Sequence, residues 1–313
     1  MLSAILNVNK PRGWTSFDVV KFVRGRCGER RVGHAGTLDP AATGVLPVLI
    51  GRATRLTEYL VDATKTYEAT VELGVVTDTY DAEGDVVSRA DASGVTEAGI
   101  RGAMSAFSGE IMQAPPVYSA LKQDGVPLYK RARRGEEVRT APRPVRVEKL
   151  DIMRYDPPIL ELRVVCGKGF YVRSLAHDLG AALGVGGSLS ALVRSRVGSF
   201  RIEDAVDIET LRAEFEDGSW RDRLIAPDEI LLGWRAAILG EQSAGRLLNG
   251  LETVLQPAGG VPTASGELCR AYSDAGDFLA VLRCEGPNTW RPEKVFAQPV
   301  AGHSAILDSD SET

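Results

Sequence analysis

The sequence predicts an α+β protein: a mixed, mostly antiparallel sheet flanked by helices, followed by a small β-rich C-terminal domain. Three observations carry this. Strand-like alternation and helix-like spacing both occur, in irregular order, with no regular βαβ series and no internal repeat. The 313 residues are 44% apolar and 25% charged, the composition of a soluble globular chain with ample core. After Arg235 the patterns become short strands with turn residues between them.

The elements follow in chain order. "MLSAILNVNKPRG" has a short apolar patch but no basic lead and no cleavage site, so it reads as a first strand and not a signal peptide. In "TSFDVVKFVRGRCG", Thr15 or Ser16 caps a helix, Phe17, Val20 and Val23 fall at helical spacing, and Gly25 or Gly28 stops it. "RATRLTEYLVD" is a short helix. "KTYEATVELG" alternates, with Tyr67, Ala69, Val71 and Leu73 on one face, as a half-buried strand does. "TDTYDAEGDVV" turns into another strand, and "TEAGIRGAMSAFSG" is a helix ended by Gly109. Residues 113–146 read as a long loop punctuated by "APP", "DGVP" and "APRP". Within it "VPLYKRARRG" spells a short basic helix, with Pro127 at its first position and Gly135 past its last. Leu160, Leu162, Val164 and Cys166 alternate as a strand. "GKG" turns the chain into a helix bearing Val172, Leu175, Ala176, Leu179 and Leu183, with Gly184 as its stop. A boundary near 226–236 separates a domain over 1–230 from one over 235–300. The latter contains a short helix in "GEQSAGRLLNG" and strands in "LCRAYSD", "FLAVLRC" and "EKVFAQPV". The polar residues 301–313 read as a disordered tail.

Composition narrows the function. No run of about 18 apolar residues exists, so no membrane span is expected. Cys27, Cys166, Cys269 and Cys284 lie far apart without a CxxC, and the three histidines form no metal pattern with them. A reduced, cytoplasmic protein without metal is expected. The net charge of −5 hides asymmetry. Residues 10–31 hold Lys10, Arg12, Lys21, Arg24, Arg26, Arg30 and Arg31, and residues 118–149 hold nine cations against four acids, whereas 203–229 and the end of the chain are acidic. Two basic blocks on an acidic body are either a polyanion site or solvated helix faces.

The most unusual stretch is "GHAGTLDPAATGVLPVLIG", Gly33 to Gly51. It lacks the GxxxxGK[ST] and GxGxxG patterns, which argues against a nucleotide-phosphate loop. Asp-Pro is a common turn pair, so Asp39 has an ordinary structural reading. Its surroundings favour chemistry: glycines let another molecule approach closely, and Pro40 and Pro47 stiffen the loop around a carboxylate. Arg173 falls in the first turn of its helix, where the dipole disfavours a cation. An anion such as Asp39 would relieve that, and the pair would keep the carboxylate ionised and aimed.

Together "NKPRGWTSFDVV", "GHAGTLDPAATGVLPVLIGRATRL", "KTYEATVELGVVTDTYDAEG", "FSGEIMQAPPVYSALKQDGVPLYKRARRGE" and "CGKGFYVRSLAHDLG" resemble the bacterial TruB family of tRNA pseudouridine-55 synthases, in order from about Asn7 to Phe200. The region from Arg235 on resembles, more weakly, a PUA RNA-binding domain. The resemblance implies a pseudouridine-synthase fold and isomerisation of a T-arm uridine of tRNA after base flipping. It implies no cofactor and no metal, a tRNA partner, no required protein partner, no membrane, and a monomer. It assigns Asp39 as the catalytic aspartate, Arg173 as its ion-pair partner and Tyr67 as the tyrosine that stacks on the base. His34, Tyr171, Leu192 and Lys10 fall at substrate-binding positions, Lys10 through the RNA or the loop. Residues 113–146 match an RNA-gripping insertion. Gly167, Phe170 and Val193 depart from the family's usual residues, which bears on pocket detail. Two further readings of the same resemblance are a tRNA-binding chaperone with little catalysis and a guide-RNA-dependent synthase subunit.

Overall fold

The chain opens with the expected strand, β1 (Ala4–Lys10), which pairs antiparallel with β3 (Thr43–Ile50) from Ala4↔Ile50 to Lys10↔Gly44. The computed structural model describes residues 2–255 and 264–296, apart from 120, 124, 129–130, 132–133, 135 and 137–139. It divides into two compact units, Met1–Ile225 and Ala226–Thr313. Most of the basic helix expected within 127–135 and the whole tail 301–313 lie outside the described residues.

Between β1 and β3 come α1 (Ser16–Arg24) and the short β2 (Val32–His34), which pairs with β3. Thr15 and Asp18 form a capping box at the start of α1. The buried stripe of α1 is Ser16, Val19, Val20 and Val23, with Phe22 beside it. The sequence reading put Phe17 on that stripe. It is instead 52% exposed, because the true i, i+3, i+4, i+7 series begins one residue earlier, at Ser16.

After α2 (Thr57–Asp62) the half-buried β4 (Lys65–Leu73) crosses the middle of the sheet, burying Ala69, Val71 and Leu73 as its alternation predicts. A small hairpin follows, β5 (Val75–Thr77) with β6 (Val86–Arg89), then α3 (Glu97–Met104) and β7 (Gly109–Gln113). A second hairpin has two-residue strands, β8 (Lys122–Gln123) and β9 (Val126–Pro127). The long β10 (Arg143–Asp156) and β11 (Ile159–Cys166) then pair antiparallel. They lead into α4 (Val172–Ala182), β12 (Gly187–Val197), β13 (Phe200–Arg201), β14 (Val206–Asp207) and α5 (Ile208–Asp217).

The ten-stranded sheet runs β14-β1-β3-β12-β4-β11-β10-β7, with β2 on β3 and β13 on β12. Only β1–β14 and β3–β12 pair parallel, so the sheet is mixed and mostly antiparallel. One apolar cluster joins β4, β10 and β11 to α3 and α4 through Val71, Leu160, Leu162, Val164, Ile100 and Leu175. Another joins β1 and β3 to α1 and α5 through Leu6, Val8, Leu46, Val48, Val23 and Leu211. The strands that join these halves, β3, β12 and β4, carry or adjoin the candidate site residues.

The second unit holds the expected small sheet: β15 (Arg235–Leu239), β16 (Thr253–Val254), β17 (Leu268–Ser273), β18 (Phe278–Gly286) and β19 (Thr289–Val295) in the order β15-β17-β18-β19-β16. With α6 (Glu241–Leu248) it buries Leu239, Leu247, Cys269, Leu282 and Trp290. All four cysteines are buried free thiols. Among the described residues no helix is long and apolar enough to cross a membrane, and no group of three His, Cys, Asp or Glu could hold a metal ion.

Candidate active site

The loop from Ala35 to Ala42, between β2 and β3, is pinned from several sides. Ser16 Oγ donates to the Leu38 carbonyl (3.1 Å) and accepts from the Leu38 amide (2.9 Å), tying the first turn of α1 to the residue before Asp39. The Gly13 amide donates to Pro40 O at 2.8 Å. Lys10 Nζ reaches Pro11 O (2.9 Å), Trp14 O (2.7 Å) and Pro40 O (3.3 Å). Three carbonyls are what an ammonium's three donors require. Lys10 has no exposed surface, and of its two expected roles, through the RNA or the loop, its contacts are to the loop, from beneath. Burial, with Arg194 adding to it, lowers its pKa to about 8 against the pull of Asp39.

Arg194, on β12, pins the loop from the other side. It is 1% exposed and donates from Nε to Val45 O (2.8 Å) and from Nη2 to Gly36 O (2.9 Å). The register places Arg194 opposite Gly44 of β3 and Tyr67 of β4. A Cβ on Gly44 (φ +107°) would lie 2.3 Å from the Arg194 carbonyl oxygen, and one on Gly36 would lie 3.2 Å from its guanidinium. These two glycines make room for the arginine's backbone and head group. Arg194 also acts on the Tyr67 hydroxyl, partly opposing the rise in its pKa that burial causes. The sequence reading passed over it while noting Val193 beside it. An arginine in a strand otherwise half-buried gave no signal in one dimension.

Arg173 occupies the first turn of α4, as expected, and is 7% exposed. Its Nη2 lies 2.9 Å from Asp39 Oδ2, and its Nη1 lies 3.2 Å from Asp81 Oδ2. Nη2 also donates to Tyr118 O at 3.0 Å. The expected Asp39–Arg173 pair is therefore present, and Asp81 is a second carboxylate the sequence reading missed. Asp81 lies in the turn between β5 and β6, held by Thr79 Oγ1 (2.6 Å) and the Glu83 amide (3.1 Å) on Oδ1. Two carboxylates offset the helix dipole's penalty on the cation.

Asp39 itself is half-exposed, with 43% of its side chain open, whereas the Arg173 side chain is 8% open. Desolvation is the largest influence on the Asp39 carboxyl and pushes its pKa above the ordinary aspartate value, with Asp81 adding to it. Arg173 and Lys10 pull it down without cancelling the rise. The pair aims the carboxylate as expected, but its proton affinity is set first by burial.

A cavity of about 330 Å³ opens over Asp39 and Arg173, walled by Tyr67, Phe170, Tyr171 and Leu192. Five of the seven candidate residues thus meet in one place: Asp39, Arg173, Tyr67, Tyr171 and Leu192. Burial raises the phenol pKa of both Tyr67 and Tyr171. Gln113 fixes the approach to α4, accepting from the Tyr171 amide (2.8 Å) and donating to its carbonyl (3.0 Å). Phe170 makes an aromatic wall. Val193 pairs with Thr43 and Glu68 and is not among the cavity's lining residues, and the Gly167 amide donates to Arg146 O at 2.9 Å. His34 ends β2, half-buried and outside the cavity lining; burial, then Arg194, lowers its pKa. Its Nδ1 has no partner among the described residues.

A mixed sheet of this order is that of the pseudouridylate synthases, as solved structures show. The chain superimposes on a chain of a Cbf5-Nop10-Gar1 complex with a TM-score of 0.74 at 26% identity, covering 95% of this chain and 85% of that one. A structure of an H/ACA ribonucleoprotein bound to a substrate RNA containing 2′-deoxyuridine gives 0.73 at 25% identity, covering 95% and 86%. Residues 24–172 match the TruB family pseudouridylate synthase (N terminal domain), and residues 173–233 match the tRNA pseudouridylate synthase B C-terminal domain. The tRNA pseudouridine synthase B of Dehalococcoides mccartyi is 43% identical over 298 residues, 95% of this chain and 98% of that protein. That of Aromatoleum aromaticum is 43% identical over 95% and 94%. The chain belongs to the TruB family.

Proposed function

We propose that this protein isomerises uridine 55 in the T-arm of tRNA to pseudouridine, with Asp39 as the essential carboxylate. One observation carries the reading: the Asp39 carboxylate, held at 2.9 Å by Arg173, projects into a cavity walled by aromatic and aliphatic side chains. Its size, about 330 Å³, suits a single flipped nucleoside. Extruding the base costs about a few kcal/mol, offset by stacking on Tyr67 and Tyr171 and by contact with Leu192.

The reaction is redox-neutral. The C1′–N1 bond breaks, the uracil turns in place, a C1′–C5 bond forms, and the proton lost from C5 is balanced by one gained at N1. Asp39 acts on the ribose or adds to the base, and both routes need it deprotonated and fixed. The pinned loop supplies the fixation. Tyr67, on the strand beneath, stacks on the uracil and helps the late proton loss from C5. His34 lies within the same loop region as a substrate neighbour. The cations of 113–146 and the second, PUA-like unit over 235–300 hold the tRNA backbone, in a cytoplasmic enzyme working as a monomer.

The test is tritium release from unmodified tRNA carrying 5-tritiated uridine. Wild-type protein alone is expected to release it, and Asp39→Asn is expected to release none. Turnover by that variant would refute the role of Asp39. The solved relatives in multi-protein complexes favour a second reading, in which the chain needs a guide RNA or partner proteins. Turnover by purified protein with tRNA alone excludes that. Tight binding without any new pseudouridine would favour a tRNA chaperone.

A further inference from the structure

Two consecutive residues of the β5–β6 turn grip two residues one turn apart on α4. Asp81 pairs with Arg173 at 3.2 Å. Tyr80, immediately before it, stacks on His177, ring centroids 3.9 Å apart and planes inclined by 12°. Residues 173 and 177 are related by i, i+4, so their side chains emerge on one face of the helix.

Tyr80 adopts a left-handed backbone, φ +66°, one of two non-glycine residues with positive φ among those described. A tyrosine there is strained, and glycine would adopt the same angle freely. Strain at such a place persists only where the surroundings fix it. The backbone is indeed tied on both sides: the Leu189 amide donates to Tyr80 O (2.9 Å), the Ala82 amide to Leu189 O (3.0 Å), and Thr77 Oγ1 to Asp81 O (2.7 Å). Those bonds set the height of the turn on β12. Its approach to α4 is then made by the two side-chain contacts and by a long donation from Arg173 Nη1 to Thr79 O at 3.5 Å. The ion pair alone fixes a point, whereas the stack fixes a plane.

We propose that the Tyr80–His177 stack is a positioning device that sets Asp81, and through it the Arg173 guanidinium, for the reaction at Asp39. Tyr80 and His177 act through Arg173 and are not among the residues that line the cavity. The idea rests on the proposed function for its kinetic consequence only. Losing the stack lets the turn rock away from α4, so Arg173 shares its position with Tyr118 O and Asp39 without the counter-pull of Asp81.

The experiment uses three variants of the full chain. Tyr80→Phe keeps the ring, Tyr80→Gly keeps the backbone angle and removes the ring, and His177→Ala removes the other ring. Tyr80→Phe is expected to stay within about twofold of wild type in single-turnover rate on unmodified tRNA. Tyr80→Gly and His177→Ala are expected to slow it about tenfold, the scale of a sub-ångström misplacement, with tRNA Kd unchanged. Glycine relieves the strain but loses the stack and adds unfolded-chain entropy, so the thermal midpoint of each variant is measured to establish that it is folded at the assay temperature. The Arg173 Nε–H resonance is expected to move in the Gly and Ala variants and to hold in Phe. Wild-type rates in Tyr80→Gly, or equal losses in Tyr80→Phe and Tyr80→Gly, would overturn the proposal. So would an unmoved Arg173 resonance. That resonance is read without turnover, so an inactive wild-type protein would sink the proposed function and leave the clamp separately decided.

Discussion

Replacing Arg173 by methionine gives the sharpest test of how the site is held. The arginine is 8% open at its side chain and lies between Asp39 and Asp81, at 2.9 and 3.2 Å. Methionine fills similar volume but leaves two facing carboxylates and the Tyr118 carbonyl without their donor. Removing one partner of a buried pair costs about 3–5 kcal/mol. Asp39 is 43% open and can be hydrated, so most of the cost falls on Asp81, whose side chain is 12% open. The lower end, about 3 kcal/mol, is therefore expected, and for a unit of this size it lowers the thermal midpoint by about 6–12 °C.

The sign with pH separates this from a packing defect. Burial holds the Asp39 carboxyl above its unfolded value of about 3.9, and removing Arg173 takes away the largest influence pulling it down. Above that value the folded state binds more protons than the unfolded one, and stability falls as pH rises. The deficit of Arg173→Met against wild type should thus be small near pH 4 and full by pH 7. Scanning calorimetry at the two pH values measures it. A deficit that is the same at both, or below about 1 kcal/mol at pH 7, would refute a buried ion-paired anchor.

Other outcomes follow from the same geometry. Asp39→Asn should abolish tritium release without lowering the thermal midpoint at pH 7, because burial already disfavours the Asp39 charge and Arg173 keeps Asp81. Gly44→Ala should destabilise severely, since its Cβ would stand 2.3 Å from Arg194 O at φ +107°; a urea midpoint within error of wild type would contradict the close approach. Lys10, lowered from 10.5 to about 8, gives up its proton in the folded chain before the unfolded one does, so its contribution to stability rises with pH across that window. Comparing wild type with Lys10→Met in urea at pH 8 and 10 should show the smaller rise in the variant. The affinity for tRNA should fall steeply with salt, by a slope of about 0.7–0.9 per phosphate engaged; a flat response would deny the basic blocks a role in binding.

What was legible in the sequence were features written in local pattern. The alternation of β4 and β11 and the capped start of α1 depend on neighbours a few residues away, and the structure has them. The gripping of Asp39 by Arg173 was legible because a cation in a first helical turn is a local anomaly. The central strand β12, "GSLSALVRSRV", was not read as a strand. Its glycine, serines and arginines disguise a strand whose burial comes from lying between β3 and β4, both distant in sequence, as where Leu192 meets Ala69. Asp81 was hidden for a like reason. "DAEG" reads as an ordinary turn, and only the fold brings it to α4. The one-residue error at Phe17 shows the limit of spacing arguments, since Ser16 belongs to the buried stripe by hydrogen bonding to Leu38 and not by hydrophobicity.

The cations beneath the loop explain why the carboxylate works. Lys10 and Arg194 are both buried cations, and both spend their donors on carbonyls of the loop and its flanks: Pro40 O from one side, Gly36 O and Val45 O from the other. Carbonyl dipoles satisfy these charges without consuming a carboxylate. Among the described residues Asp39 is thereby left with one direct cationic partner, Arg173, and that partner is shared with Asp81. A carboxylate clamped by several cations would be aimed but inert. Here the loop is rigid because two cations hold its backbone, and the carboxylate stays reactive because the third is divided. Rigidity and reactivity are assigned to different residues, so Lys10→Met and Arg173→Met should fail differently: the first chiefly by misplacing Asp39, the second by leaving it in place beside an unshielded Asp81. Measuring the acid limb of the rate profile in each variant separates the two: both cations hold the Asp39 pKa down, Arg173 more than Lys10, so the upward shift is expected to be the larger in Arg173→Met.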